Sequence, residues 1–312
     1  MNILCISLFD NGHQLQLLAE ALRKYTAHTA IHININQSFL DYDADIKLPE
    51  ITGYKRFREL IDDVSECDFF IFSEVLPVDV KDVLDQLHVF DQINPSNTII
   101  RTAGSYRTLN PDKLLLAWIR ENWMFAGPYA DWYISGRIGR MAPVNYICPV
   151  DKIPEQHPID DKIRVCFSPT RPEKGIDAFN QVMDKITSKC DNVEKVLISG
   201  VSWKEAIAIK ATCQITFDQF MLHHYANSAI ESMYLGHAVL SDVRSWCRMI
   251  HPDLPIISVK NENKLYSTLI DVIENKELDW IGDEGRRYVM KHHHPEVVAK
   301  QWDCLIEHVS KI

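Results

Sequence analysis

The stretch RVCFSPTRPEKGIDAF, residues 164–179, predicts a strand, a turn and the start of a helix. Its apolar start is typical of a buried strand, and the PTRP sequence that follows predicts a turn. Beyond the turn, apolar residues recur at helical spacing, at Phe179, Val182, Met183 and Ile186. The polar, proline-bearing segment 151–162 lies immediately before this stretch. We therefore place a linker near 150–160 and expect a second folded half to begin after it.

Short apolar runs of the same kind recur along the whole chain and alternate with helical segments. In the first half they lie at 2–8, 30–34, 67–75, 97–103, 130–136 and 144–150. In the second half they lie at 164–170, 195–201, 213–219, 237–243 and 255–259. These runs are apolar throughout, which is typical of parallel strands covered by helices on both faces. The predicted fold class is α/β, with two successive parallel sheets.

Length and composition narrow the class of protein. A chain of 312 residues exceeds what one hydrophobic core usually organises, so two domains are expected. The net charge of −10, without a basic stripe, argues against nucleic acid as a partner. No apolar run is long enough to span a membrane and no secretory leader is visible, and the eight cysteines form no CxxC pair. We expect a cytoplasmic protein with reduced thiols.

Two cations, Arg171 and Lys174, lie in the turn before the helix of the opening stretch. A helix N-terminus offers unpaired N–H groups and a partial positive charge, and arginine grips phosphate in a bidentate manner. This arrangement predicts a clamp for a diphosphate. The alternative is a loop that carries two solvated cations.

A second candidate site lies in HHYANSAIESMYLGHAVLSD, residues 223–242. Asn227 and Ser228 are good N-cap types, and Glu231 follows Asn227 by one helical turn on the same face. Ligands of open α/β sheets bind where such helices begin, at the carboxyl ends of strands. Glu231 could there accept hydrogen bonds from two ribose hydroxyls. The alternative is a glutamate on the solvated edge of the helix.

In the first half, Gly12 and His13 lie between the first strand and its helix. Histidine at this place could accept a proton near neutral pH or bind a hydroxyl group. The alternative is a histidine that only caps the helix. The adjacent histidines at 223–224 and 292–294 lack the spacing of metal ligands, so no metal site is predicted.

Together these segments resemble the donor half of retaining GT-B glycosyltransferases of family 4. The resemblance rests on RVCFSPTRPEKGIDAF, KVLISGVSWKEAIAIKATCQITFDQF and YANSAIESMYLGHAVLSDV, in that order and spacing, and spans roughly 163–302. The later GRRYVMKHHHPEVVAKQW is similar to the C-terminal motif of the family. In the first half, ADWYISGRIGRMAPVNYICPVDK resembles the end of the family's acceptor domain.

The resemblance implies two Rossmann-like domains with the active site in the cleft between them. By position, residues 1–152 would form the acceptor-binding domain and residues 160–290 the domain that binds the nucleotide-sugar donor. Residues 291–312 would form a C-terminal helix that crosses back to the first domain.

The resemblance also assigns roles within the donor domain. Arg171 and Lys174 would hold the donor diphosphate, Glu231 the ribose hydroxyls, and Asn227 with Ser228 would present a helix N-terminus to phosphate. The donor would be a substrate such as a UDP- or GDP-sugar, with no cofactor and no metal. His223, and Gly12 of the first half, are also expected to contact the donor. His223 departs from the family, since many relatives carry a glutamate there near the donor sugar.

The implied function is transfer of a sugar from a nucleotide sugar to a sugar, glycan or lipid-linked acceptor. We favour retention, with the diphosphate taking the acceptor proton and His13 contacting the acceptor. The alternatives are an inverting transferase with His13 as base, a nucleotide-sugar 2-epimerase, and a non-catalytic protein that binds a sugar nucleotide. Acceptors would meet the loops at 10–13, 36–56, 73–79 and 103–112.

Membrane contact is expected to be peripheral at most. A lipid-linked acceptor would bring a surface to the membrane, and five residues of the first half have the aromatic, apolar and basic character that such a surface needs. They are Trp118, Arg120, Trp123, Met124 and Phe125.

Overall fold

The computed structural model describes residues 1–102, 122–128, 141–170, 174–220, 223–275 and 278–312. The chain divides into two compact units. Unit 1 contains Met1–Ile147 together with the C-terminal Pro295–Ile312. Unit 2 contains Cys148–His294. Each unit is built around one parallel sheet.

The sheet of unit 1 has seven strands in the described ranges, in the order β3-β2-β1-β4-β5-β6-β7, and every pair is parallel. The strands are β1 (Asn2–Ser7), β2 (Thr29–Asn34), β3 (Ile46–Lys47), β4 (Phe69–Ser73), β5 (Thr98–Arg101), β6 (Met124–Gly127) and β7 (Met141–Pro143). The strand order reverses between β1 and β4. Such a reversal opens a crevice at the carboxyl ends of the two strands, which is the usual ligand site of an open α/β sheet.

Helices cover both faces of this sheet. They are α1 (Gln14–Tyr25), α2 (Tyr54–Ser65), α3 (Lys81–Gln86) and α10 (Pro295–Val309). Along β1 the side chains alternate between two apolar clusters: Ile3 and Cys5 pack with α1 and α10, whereas Leu4 and Ile6 face the opposite cluster. This alternation explains why the strand is apolar at every position, as the sequence predicts for a doubly covered parallel sheet.

Unit 2 has a five-stranded parallel sheet in the order β12-β11-β10-β8-β9 within the described ranges. The strands are β8 (Ile163–Phe167), β9 (Val193–Leu197), β10 (Ile215–Phe217), β11 (Ala238–Ser241) and β12 (Ile257–Ser258). The α-helices in the described ranges of this unit are α4 (Ile176–Thr187), α5 (Trp203–Lys210), α6 (Asn227–Leu235), α7 (Ser245–Ile250), α8 (Glu262–Asn275) and α9 (Leu278–His292), of which the last two follow β12. The order reverses between β8 and β10, so the ligand crevice of this sheet lies at their carboxyl ends.

The predicted strand over 144–150 is wrong. The described part of that segment forms no strand, and the nearest one is the three-residue β7. Side chains and irregular backbone contacts satisfy its buried backbone instead. The Ile147 N–H donates to Gln14 Oε1 at 2.7 Å, and Gln14 Nε2 donates to the Ile147 carbonyl at 2.9 Å. The N–H groups of Val144 and Cys148 donate to the carbonyls of Gly127 and His293, both at 2.8 Å. The apolar run therefore lies buried without forming a ladder with a neighbouring strand. The predicted strand at 130–136 lies outside the described residues.

Trp123, Met124 and Phe125 do not form a membrane-facing surface. All three are buried, and the last two belong to β6, which pairs with β5 and β7 and was not predicted from the sequence. The membrane-contact prediction is therefore wrong for these residues, while Trp118 and Arg120 lie outside the described ranges. In the described part of the chain, no helix combines the length and the apolar composition needed to cross a bilayer.

Candidate functional site

Several predicted site residues meet at the carboxyl edge of the unit 2 sheet. Lys174 and Gly175 connect β8 to α4, the Asp218-Gln219 pair follows β10, and α6 begins after the same loop. Asp242 follows β11 directly. Because β8 and β10 flank the reversal of strand order, this edge is where the fold itself places a ligand.

The first helix at this edge, α4, begins without a side-chain cap. Its N-cap is Gly175, in the left-handed region with φ 103°. A Cβ at this position would lie 2.8 Å from Phe220 Cδ2, so glycine is required both for the turn and for the close approach. Lys174 precedes it and makes no ion pair with any residue in the described ranges. Arg171, the other predicted clamp residue, lies outside those ranges.

The second helix, α6, also begins without a side-chain cap, and the N-cap prediction for Asn227 and Ser228 is wrong. Ala226 occupies the N-cap with extended backbone, so the other two residues are the first residues of the helix. Alanine has no side-chain acceptor for the N–H groups of the first turn. Two helix N-termini at the ligand edge of unit 2 thus lack a side-chain cap, which is the arrangement that binds phosphate.

Two other helix N-termini, those of α5 and α1, are occupied by the protein's own side chains, whereas α2, α3 and α7 also begin without a side-chain cap. At α5, Ser202 Oγ accepts from the Glu205 N–H at 3.3 Å and the Glu205 carboxylate accepts from the Ser202 N–H at 2.9 Å, a capping box. At α1 in unit 1, the Asp10 carboxylate accepts from the N–H groups of Leu15 and Gln16 at 2.9 and 3.1 Å. A carboxylate at this place repels a phosphate group. The first helix of unit 1 is therefore closed to anions, in contrast to α4 and α6.

Glu231 is buried rather than solvated, so the alternative of a glutamate on a wet helix edge is wrong. Its two oxygens accept hydrogen bonds from Trp203 Nε1 and Lys210 Nζ, both at 2.8 Å. Lys210 Nζ also donates to Ser228 Oγ at 3.0 Å, which links the pair to the first turn of α6. An ionised carboxylate accepts about four hydrogen bonds, so capacity for ribose hydroxyls remains. The ribose role of Glu231 stays a prediction.

Asp218 and Gln219 are site residues that the sequence reading did not assign. Both are buried, and in the described chain Asp218 Oδ1 and Gln219 Oε1 have no hydrogen-bond partner. Burial raises the pKa of Asp218, against the opposing charges of Lys174, Lys210 and His224. The sequence feature that could have identified them is the DQ pair at the end of an apolar strand, because residues at the carboxyl ends of parallel strands face the ligand.

His223 lies against Asp242 at the same edge. Its Nδ1 lies 2.6 Å from Asp242 Oδ2, and Arg244 Nε lies 3.1 Å from the same nitrogen. One ring nitrogen carries a single proton, so we assign Nδ1–H as donor to the carboxylate, because that contact is shorter and charge-assisted. Arg244 then pairs with Asp242 Oδ1 at 3.4 Å. His223 is thereby oriented by a buried carboxylate.

In unit 1, Gly12 and His13 both adopt positive φ, at 76° and 60°. His13 occupies the N-cap of α1 without a side-chain capping bond, so the capping alternative is wrong, and Asp10 supplies the cap instead. The His13 ring is buried and stacks on Tyr42, with centroids 5.0 Å apart. Its role as acceptor contact or as base stays a prediction, as does the assignment of Gly12.

No group of three or more metal-ligating side chains converges within the described ranges. The described cysteines are free thiols.

Known protein families and sequences give no match: no family model fits the chain, and no curated sequence is similar to it. Solved structures do match. Sucrose-phosphate synthase from Thermosynechococcus elongatus aligns at a TM-score of 0.64 and 11% identity over 99% of both chains. Anabaena HepE in complex with UDP-glucose aligns at 0.64 and 10% identity, over 99% of this chain and 100% of that chain.

A third neighbour, the UDP-GlcNAc 2-epimerase of Neisseria meningitidis bound to UDP-GlcNAc, aligns at a TM-score of 0.55 and 11% identity over 100% of both chains. At these identities the likeness shows the fold alone. That fold is GT-B, built of two Rossmann-like domains, as the resemblance implied. The matches do not single out family 4, which stays a prediction.

Proposed function

We propose that the protein is a glycosyltransferase that moves a sugar from a nucleotide-sugar donor to a sugar or glycan acceptor. The observation that carries the proposal is the carboxyl edge of unit 2, where the uncapped starts of α4 and α6 join Lys174. Backbone N–H groups, helix dipoles and one cation form a site for a diphosphate. The capped α1 of unit 1 supports placing the donor in unit 2.

Buried acceptors at the same edge support a ligand rich in hydroxyl groups. Asp218 Oδ1 and Gln219 Oε1 are buried acceptors that lack a partner in the described chain. Each such atom costs free energy unless it receives a hydrogen bond, and sugar and ribose hydroxyls are donors. UDP-glucose in the HepE complex and UDP-GlcNAc in the epimerase complex are ligands of this class on the same fold.

The proposed reaction retains the anomeric configuration and needs no metal. The bond between the anomeric carbon and the diphosphate oxygen breaks, and the acceptor oxygen bonds to the same face of that carbon. The diphosphate takes the acceptor proton. Lys174 and the two helix N-termini stabilise the negative charge that develops on the diphosphate, which is the largest electrostatic demand of the step.

The proposal is tested by calorimetric titration of UDP, GDP, ADP and dTDP, followed by the sugar nucleotides of the diphosphate that binds. Each sugar nucleotide is then incubated with a panel of sugar acceptors, and release of diphosphate and the product anomer are measured by NMR. We expect binding of a nucleoside diphosphate and release that depends on the acceptor. Failure of every diphosphate to bind would overturn the proposal.

A 2-epimerase is the second candidate, because an epimerase shares the fold. The same NMR samples separate the two functions. An epimerase inverts carbon 2 of the donor sugar without any acceptor, whereas a transferase leaves carbon 2 unchanged. An inverted product anomer would instead indicate the inverting alternative with His13 as base.

A further inference from the structure

His223, Asp242 and Arg244 form a charged cluster that the proposed reaction has not yet used. Asp242 is almost fully buried, at 1% side-chain exposure, whereas the His223 side chain is 43% exposed. An imidazole held by a buried carboxylate and open to solvent on its other side is the usual arrangement of a histidine that exchanges or donates a proton.

Backbone contacts place this cluster beside the buried acceptors of the ligand edge. The Asp242 N–H donates to the Gln219 carbonyl at 2.9 Å, and Gln219 Nε2 donates to the His224 carbonyl at 3.0 Å. The Arg244 N–H donates to the His223 carbonyl at 3.1 Å. His223 turns the chain with φ 61°, in the loop that leads directly into α6. The imidazole is thus fixed between the end of β11 and the start of α6.

Resting on the proposed function, we propose that His223 donates a hydrogen bond from Nε2–H to the leaving diphosphate, with Asp242 as its positioning residue. Because Nδ1–H is directed at Asp242, Nε2 of the neutral ring carries no proton, faces the donor Arg244 Nη2 at 3.4 Å and would repel a phosphate oxygen. Binding of the diphosphate therefore favours the imidazolium. When the anomeric bond breaks, its electron pair goes to the diphosphate oxygen, and the His223 proton remains on nitrogen as a hydrogen bond to that group.

The charged surroundings of His223 fit this role. Asp242 and Arg244 face it from the segment after β11, His224 follows it in the loop, and Asp218 lies after β10. The Asp242 carboxylate contacts Nδ1 of the ring, and the Arg244 guanidinium contacts both ring nitrogens. Arg244 Nη2 lies 3.4 Å from Nε2 and adds a second donor on the same side.

The test measures proton uptake when a diphosphate binds. UDP, or the tightest binder among GDP, ADP and dTDP, is titrated at pH 7 in buffers of different ionisation enthalpy. We compare wild type with His223→Gln, and with His157→Gln as the matched control. His157 lies on the opposite edge of the same sheet, where its N–H donates to the Ala211 carbonyl at 2.8 Å. Protons that the phosphate groups of the ligand release or take up contribute equally in all three proteins, so they do not affect the comparison.

We expect His223→Gln to bind the diphosphate about tenfold more weakly and to take up fewer protons than wild type. The matching monophosphate, which lacks the leaving phosphate, should bind both proteins equally. His157→Gln should behave as wild type. Asp242→Asn should also bind the diphosphate more weakly, because the carboxylate that orients the His223 ring is lost.

Equal proton uptake by wild type and His223→Gln would overturn the inference while leaving the proposed function intact. An equal loss of affinity for the monophosphate and the diphosphate would also overturn it, since that result describes a general structural role. No binding of any diphosphate to wild type would overturn the inference together with the proposed function.

Discussion

Lys174 is the described side chain that brings a full positive charge to the uncapped start of α4. It makes no ion pair with the described residues, so its charge is available to a ligand. We expect Lys174→Met to weaken nucleoside diphosphate binding by about 1.5–3 kcal/mol, the range of a hydrogen bond to a charged group. Calorimetric titration measures the change.

Lys185→Met is the matched control for Lys174→Met, because Lys185 lies in the last turn of the same helix, away from the ligand edge. It should bind as wild type does. Equal weakening in both variants would show that overall charge, rather than a local contact, determines the affinity.

Glu231 poses a different problem at the residue scale, since its removal leaves Lys210 buried and unpaired. We expect Glu231→Gln to lower the free energy of unfolding by about 3 kcal/mol, and the double variant Lys210→Met with Glu231→Gln to recover much of that loss. Urea denaturation of Glu231→Gln, of Lys210→Met and of the double variant measures these changes in the free energy of unfolding. A loss in the double variant equal to the sum of the two single losses would contradict the pairing.

The double variant also tests the ribose role of Glu231, because it is expected to be more stable than Glu231→Gln alone. If Glu231 holds the ribose, the folded double variant should bind a nucleoside diphosphate more weakly than wild type. It should bind inorganic pyrophosphate, which has no ribose, equally well. Unchanged diphosphate affinity would assign Glu231 a structural role alone.

Residue types and their spacing predicted which segments contribute residues to the candidate site, but not the hydrogen-bond and ion-pair partners of those residues. Lys174, His223 and Glu231 lie in short segments that follow strands, and strand ends are visible in sequence. The partners Trp203 and Lys210 come from another helix, and Asp242 from another strand, so these contacts depend on the tertiary fold. His13 occupies the N-cap position of α1, which made its side chain a candidate for the cap. The cap comes instead from Asp10, three residues earlier in the chain, whose carboxylate accepts from N–H groups of the first turn.

At the scale of elements, α10 belongs to unit 1 although it follows unit 2 in sequence. Trp302 is 1% exposed and packs in the same apolar cluster as Leu15, Leu18 and Leu22 of α1. We expect Trp302→Ala to lower the free energy of unfolding by about 3–5 kcal/mol, because it empties a large buried volume. Urea denaturation followed by far-UV circular dichroism measures it.

The control for Trp302→Ala is Trp280→Ala in α9, since Trp280 is 63% exposed. Its effect on the free energy of unfolding should stay within about 0.5 kcal/mol. Similar losses in the two variants would contradict the burial of α10 against unit 1.

Elements were predictable where local pattern and tertiary role agree. The continuous apolar runs of β1, β4, β8 and β10 predicted buried parallel strands, because both faces of those strands are covered. The run at 144–150 has the same pattern but forms no strand, and its Ile147 backbone bonds to the side chain of Gln14. The local sequence does not distinguish such a side-chain partner from a neighbouring strand. β6 was missed because its short MFAG sequence follows a tryptophan and reads as a surface segment.

For the whole molecule, acid should reduce stability through buried neutral histidines in both units. Burial, followed by the charge of His292, lowers the pKa of His251 from its ordinary value of 6.5 to about 4. Burial also lowers the pKa of His32 in unit 1. The unfolded chain takes up protons at higher pH than the folded chain, so stability is complete above pH 6.5 and falls as pH decreases towards 4.

We expect His251→Gln to make the free energy of unfolding depend less on pH. The loss of stability at pH 4 that this substitution removes is of the order of 3 kcal/mol or less. Urea denaturation between pH 7 and pH 4 measures the slope for wild type and variant. The pKa of Asp253 is lowered from 3.8 to about 2, so its contribution to stability is lost mainly below pH 4 and only begins to decrease at the lower end of this window. An unchanged slope in His251→Gln would contradict the assignment.

A nucleoside diphosphate is expected to bind at the uncapped starts of α4 and α6 in unit 2. Amide hydrogen exchange, measured with and without the tightest-binding diphosphate, tests this binding site. We expect slowed exchange in the first turns of α4 and α6, at 176–179 and 227–230, and unchanged exchange in the first turns of α1 and α5. Protection of the first turn of α1, or saturating binding without protection of α4 and α6, would contradict it.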